Sequence, residues 1–202
     1  LSTAGPAASQ SSPELPEQYR EPIPLQSEVL GPYAFRISSE NAEAQQFFDQ
    51  GMQLMYSFAK TDAVRSFREA WKRDPNCAIC YWGEAWAWGS YLNGPMRPPE
   101  APHAYVAVRK AMQLSEVHAS ARERAYINAL SVRYVEDFEV DKRRDQDEVY
   151  AAAMELLVEE YPDDLDAATL FGDALFLLEP RRGTRDVNDP RVQRLHAVLE
   201  SV

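Results

Sequence analysis

Residues 41–75 read NAEAQQFFDQGMQLMYSFAKTDAVRSFREAWKRDP, and small and large side chains recur in this window at fixed offsets. Counted from Gly51, Phe47 stands at −4, Leu54 at +3, Ala63 at +12, Phe67 at +16, Ala70 at +19 and Pro75 at +24. The spacing has a physical reason. Two antiparallel helices that touch closely need small residues where their backbones meet, here Gly51, Ala63 and Ala70. Phe47 and Phe67 fill the adjoining holes, and Pro75 ends the second helix.

These offsets are the tetratricopeptide pattern W-x2-L-G-x2-Y … A-x3-F-x2-A … P, met at nearly every place. Position 50 departs, with Gln where the pattern has Leu. One 34-residue period further on, Phe47 maps to Tyr81, Gly51 to Ala85 and Leu54 to Trp88. The register therefore continues into NCAICYWGEAWAWG, Asn76 to Gly89. The loop SYLNGPMRPPE then interrupts it, and Ala104, Val108 and Ala111 resume it seven residues late. ASARERAYINALSVRY (119–134) and DEVYAAAMELLVEEYP (147–162) predict a further helix pair. LDAATLFGDALFLL (165–178) carries Gly172 and Leu175 where Gly51 and Leu54 stood, and a last helix starts at Asp189 and Pro190. The expected fold is all-α: a tetratricopeptide-like superhelix of about four antiparallel helix pairs over residues 40–202. With no stop signal before Val202, the natural chain is expected to continue.

Residues 1–39 differ in character. They hold six of the prolines and many Ser, Ala and Gln, which prevents any long helix and predicts an extended arm. Tyr19, Ile23, Leu25, Val29, Leu30, Tyr33 and Phe35 are its apolar anchors, docking on the chain's own helices or on a neighbouring subunit. VLGPYAFRISS reads as a short strand or extended lead-in, with Ser38 or Ser39 as the cap of a helix entering at Glu40.

The net charge is −11, which argues against a nucleic-acid partner and against docking on anionic lipid. No apolar run approaches the roughly 20 residues of a membrane helix. The start at Leu1 fits either removal of a signal segment or a fragment. No N-x-S/T sequon occurs, whereas the Ser/Thr/Pro-rich start suits O-linked sugars.

Cys77 and Cys80 are the only cysteines. At i, i+3 on one helical turn they suit a local disulfide or packed thiols; a redox pair or half a metal site are the alternatives. Haem attachment is excluded because Tyr81 follows in place of His. A zinc site needs two more ligands, and the spacing of His103, His118 and His196 brings no two together. No cofactor and no metal site is expected. Helical spacing puts Tyr81, Ala85 and Trp88 on one face and Trp82 and Trp86 on another. The second face, with Tyr91, Asn93 and Met96 as its rim, is the candidate partner groove. The acidic runs EDFEVDKRRDQDE and YPDDLDAA fit no calcium loop and read as a solvated face. No G-x-S-x-G, phosphate loop or H-E-x-x-H is present.

The run Phe47–Met96 resembles a family of bacterial tetratricopeptide-repeat proteins. Its members read similarly through F-D-Q-G (48–51), A-x-R-S-F (63–67), D-P-x-C-A-x-C-Y-W-G (74–83) and N-x-P-M (93–96). RERAYINAL, EEYPDDLDAATLF and VQRLHAVLESV are similar too, so the resemblance covers about residues 30–202 and includes the inserted loop. It implies a protein that is often exported and usually longer. Such arrays act as scaffolds for peptides or other subunits, with no reaction assigned. The expected function is a non-catalytic protein–protein interaction scaffold. The chain would be a subunit of an extracytoplasmic, polymeric or smaller, assembly, with a thiol redox or metal-handling module as the alternative.

Overall fold

The computed structural model describes residues 13–26, 28, 30–180 and 186–202. Among these residues it is all-helical. The elements are α1 (Ala42–Tyr56), α2 (Lys60–Arg73), α3 (Ala78–Trp88), α4 (Ala101–His118), α5 (Ala121–Ser131), α6 (Arg143–Glu160), α7 (Leu165–Leu178) and α8 (Pro190–Glu200). Each helix packs on the next in the chain, and α3 also touches both α1 and α5.

Asn41, not Ser38 or Ser39, caps α1, and the helix starts two residues later than expected. The Asn41 side chain accepts the N–H groups of Glu43 and Ala44 at 3.0 and 3.1 Å. The serines are engaged elsewhere: Ser39 Oγ donates to Asp74 at 2.5 Å, and Ser38 is bonded to Glu123 on α5. At its other end α1 stops in a tight reversal. Phe58 takes φ 62°, a left-handed conformation that is unfavourable for a residue with a Cβ. Phe58 and Ala59 donate back to Met55 and Leu54 at 2.9 and 2.8 Å, which turns the chain into α2.

The repeat residues meet as their sizes require. The Phe67 ring of α2 lies against two glycines, Gly51 on α1 and Gly83 on α3. A Cβ on either would stand 2.6 or 2.4 Å from the ring. Trp82 is 1 % exposed, with the rings of Phe35, Phe48, Trp86 and Tyr126 at 5.5–6.4 Å from its own. α3 is apolar nearly all round because it is covered on every side. Its one acid, Glu84, is buried and accepts from Arg68, Trp71 and Trp88 at 2.6, 2.7 and 3.2 Å. Trp88 also stacks on His103 of α4, with ring centroids 4.6 Å apart.

The inserted loop after Gly89 is held by a reciprocal backbone pair between Tyr91 and Gly94, both at 3.0 Å, and by the bond from Met96 N–H to Ser90 Oγ. In the second half most carboxylates of the acidic runs are exposed, as on a solvated face, but Asp147 is buried and Asp164 and Asp166 are half-buried. Asp147 is 7 % exposed and accepts from Arg133, itself fully buried, and from Arg143. Burial opposes ionisation of Asp147, but the two guanidiniums outweigh it and hold its carboxyl below the usual value. Asp164 caps α7 and takes two hydrogen bonds from Arg122, at 2.6 and 3.0 Å.

Candidate functional site

The arm residues that are described lie on the chain's own helices. Tyr19, Ile23 and Phe35 are buried, Leu30 and Tyr33 half-buried; Val29 lies outside the described residues, as do residues 1–12 with the candidate glycan positions. Leu25 is the exception among the expected anchors, 37 % exposed. Ile37, which was not expected, is buried instead. Tyr33, Phe35 and Ile37 point inward and Ala34, Arg36 and Ser38 outward, the period of two of an extended chain.

No strand pairs with this segment among the described residues; side chains take the place of one. On α1 the Gln45 amide donates to Phe35 C=O at 2.8 Å and accepts Ile37 N–H at 3.0 Å. Asp49 accepts Phe35 N–H at 2.8 Å, and burial pushes its carboxyl up despite that bond. On α5, Glu123 accepts Ser38 N–H at 2.7 Å. Further back, Gln50 accepts Gln26 N–H at 2.7 Å and donates to Pro24 C=O at 3.1 Å. The residue that breaks the repeat pattern is thus an arm-binding residue. Arg65 on α2 donates to the carbonyls of Glu21 and Pro22 at 2.8 and 2.9 Å, and the Tyr19 ring sits 4.3 Å from Trp88.

Side chains complete the seat. The Phe35 ring meets Phe48 of α1 at 5.4 Å and Tyr126 of α5 at 5.3 Å, with the Arg122 guanidinium 4.0 Å above it. Tyr33 and Tyr56 both donate to one oxygen of Asp166, on the first turn of α7, at 2.7 Å each. Burial raises both phenols, and the Asp166 charge adds to it. One extended segment therefore bridges α1, α5 and α7 and covers Trp82 on α3.

The expected partner groove is divided by this arrangement. Trp82 and Met96 are buried and present nothing to a partner, Trp82 because Phe35 lies over it. Asn93 is exposed on the loop. Trp86 and Tyr91 line a cavity of about 320 Å³, together with Tyr56 and Phe58 from the end of α1 and Leu170 and Asp173 from α7. Burial among apolar walls pushes the Asp173 carboxyl up to about 6, against the pull of Arg133.

Cys77 and Cys80 form a disulfide at the start of α3, with Cα atoms 5.3 Å apart and both residues buried. Cys77 is also the helix cap, its sulfur accepting Cys80 N–H at 3.2 Å. Among the described residues no group of three or more His, Cys, Asp or Glu is placed to hold a metal ion, and no helix is long and apolar enough to cross a membrane. Comparison with protein-family models, with curated proteins and with solved structures finds no match.

Proposed function

We propose that this chain is a non-catalytic interaction scaffold of the tetratricopeptide type, a member of the exported bacterial family that it resembles. The observation that carries the reading is the seat of residues 33–38. Gln45, Asp49 and Glu123 bond the backbone of an extended segment, while Phe35 and Tyr33 fill side-chain sites beside it. Backbone bonds supply affinity for an extended chain, and the pockets for alternate side chains supply selectivity. A face built this way takes an arm of the same sequence from a neighbouring copy as readily as its own, which is the geometry a subunit of a larger assembly needs.

The direct contacts of α3 with α1 and α5 support the helical-array reading. The buried Cys77–Cys80 disulfide supports an oxidising, extracytoplasmic location and a structural role for the two sulfurs, since exchange needs an accessible sulfur.

The test is exchange of the arm in trans. Phe35→Ser weakens the resident arm in the full chain. A synthetic peptide of residues 19–39 carrying Phe35 then binds saturably and raises the melting temperature towards that of the parent. A folded Phe35→Ser chain that ignores the peptide contradicts the proposal. Light scattering after deletion of residues 1–30 reports whether the arm also joins copies, with a lower mass expected.

A further inference from the structure

The cavity between the end of α1, α3 and α7 combines aromatic walls with one carboxylate. Tyr56, Phe58 and Trp86 supply rings, and Asp173 lines the same space. Its volume of about 320 Å³ is at the lower end of small-molecule sites. Asp173 makes no hydrogen bond or ion pair with any described residue. Arg133 acts on it at a distance: its Nε and Nη2 are bonded to Asp147 and to the Ser90 carbonyl, and its Nη1 makes no hydrogen bond with any described residue. Asp173 is half-buried beside apolar walls with no hydrogen-bonded partner among the described residues, and a cationic group in the cavity balances its charge there.

The walls narrow the kind of cation. A primary ammonium is best held by several converging hydrogen-bond acceptors, but beside the rings the walls are largely apolar, with Met55, Leu170 and Leu199 among them. Tyr56 Oη donates to Asp166 and Thr169 Oγ1 to the Leu165 carbonyl, at 2.7 and 2.8 Å. Alkylated ammonium groups need contact with ring faces instead, together with one balancing charge. Phe58 adds a second observation. Its φ of 62° is a place for glycine, yet an aromatic residue stands there, 48 % exposed and lining the cavity.

We propose that this cavity binds a small, free quaternary ammonium ion, its charge facing Asp173 and its alkyl groups against Tyr56, Phe58 and Trp86. The site shares Tyr56 with the arm seat but does not depend on the scaffold reading. Titration calorimetry of the full chain with choline and with its neutral isostere 3,3-dimethylbutan-1-ol tests it. Choline binds at least about tenfold tighter than the alcohol, the difference one charge pair supplies. Asp173→Asn brings the two within about threefold. Phe58→Gly suits the backbone, keeps or raises the melting temperature, and weakens choline by about three- to tenfold. Equal affinity for choline and the alcohol overturns the proposal. So does absence of saturation up to about 10 mM choline, or an unchanged affinity in the folded Phe58→Gly chain.

Discussion

Gly51 on α1 and Gly172 on α7 head the same local pattern, each with leucine three residues on, at Leu54 and Leu175. Their surroundings differ. A Cβ on Gly51 meets the ring of Phe67, which is itself trapped against Gly83. A Cβ on Gly172 meets the tip of Leu199, on the last turn of α8, 2.5 Å away. Around α1 and α3 the arm fills the space beside the helices with Phe35; between α1 and α7 that space is a cavity. The same sequence pattern thus gives a closed region and an open one, and the arm makes the difference.

Removing the filler gives the largest effect. Phe35→Ala lowers the unfolding free energy by about 3–5 kcal/mol in urea titrations, whereas Leu25→Ala, an exposed arm residue, changes it by under about 0.5 kcal/mol. The glycines separate the regions next. Gly51→Ala costs about 1–3 kcal/mol because an aromatic ring between two helices cannot give way. Gly172→Ala stays within about 1 kcal/mol, since a flexible leucine tip moves aside and alanine favours the helix. Gln50→Leu restores the repeat consensus yet costs about 1–2 kcal/mol, because two bonds to the arm backbone are lost.

The smallest effect lies in the cavity. The Asp173 carboxyl is raised to about 6 in the folded chain, above its unfolded value, so the folded chain binds more protons across about pH 4–6. This carboxyl's contribution to stability is therefore present below about pH 4 and lost as the pH rises through about 6. Asp173→Asn removes that dependence and stabilises the chain by about 1 kcal/mol at pH 7, with no gain at pH 4. Thermal melts of both proteins at the two pH values check the sign.

The helices and their pairing were legible because Gly51, Ala63, Phe67 and Pro75 act within one window. The alternation of Tyr33, Phe35 and Ile37 was also legible, although Ile37 is not among the expected anchors. Gln50 stood out as a departure from the pattern, but its role rests on Pro24 and Gln26, far away in the chain. Helical spacing puts Trp82 on the candidate groove face but does not reveal what covers that face, and here Phe35 does. Asp147, Asp164 and Asp166 stand in charge runs whose pattern suggests a solvated face. Their partners Arg133, Arg122, Tyr33 and Tyr56 come from distant elements, and charge runs carry no signal of such pairings. The cavity at Asp173 was illegible for the same reason, since it arises where α7 meets the end of α1.

Amide hydrogen exchange along residues 33–38 tests the seating of the arm most directly. The Phe35, Ile37 and Ser38 N–H groups, bonded to Asp49, Gln45 and Glu123, are predicted to exchange at least about a hundredfold more slowly than those of Ala34 and Arg36. Uniformly fast exchange across all of these amides, as in a free peptide, would contradict the account.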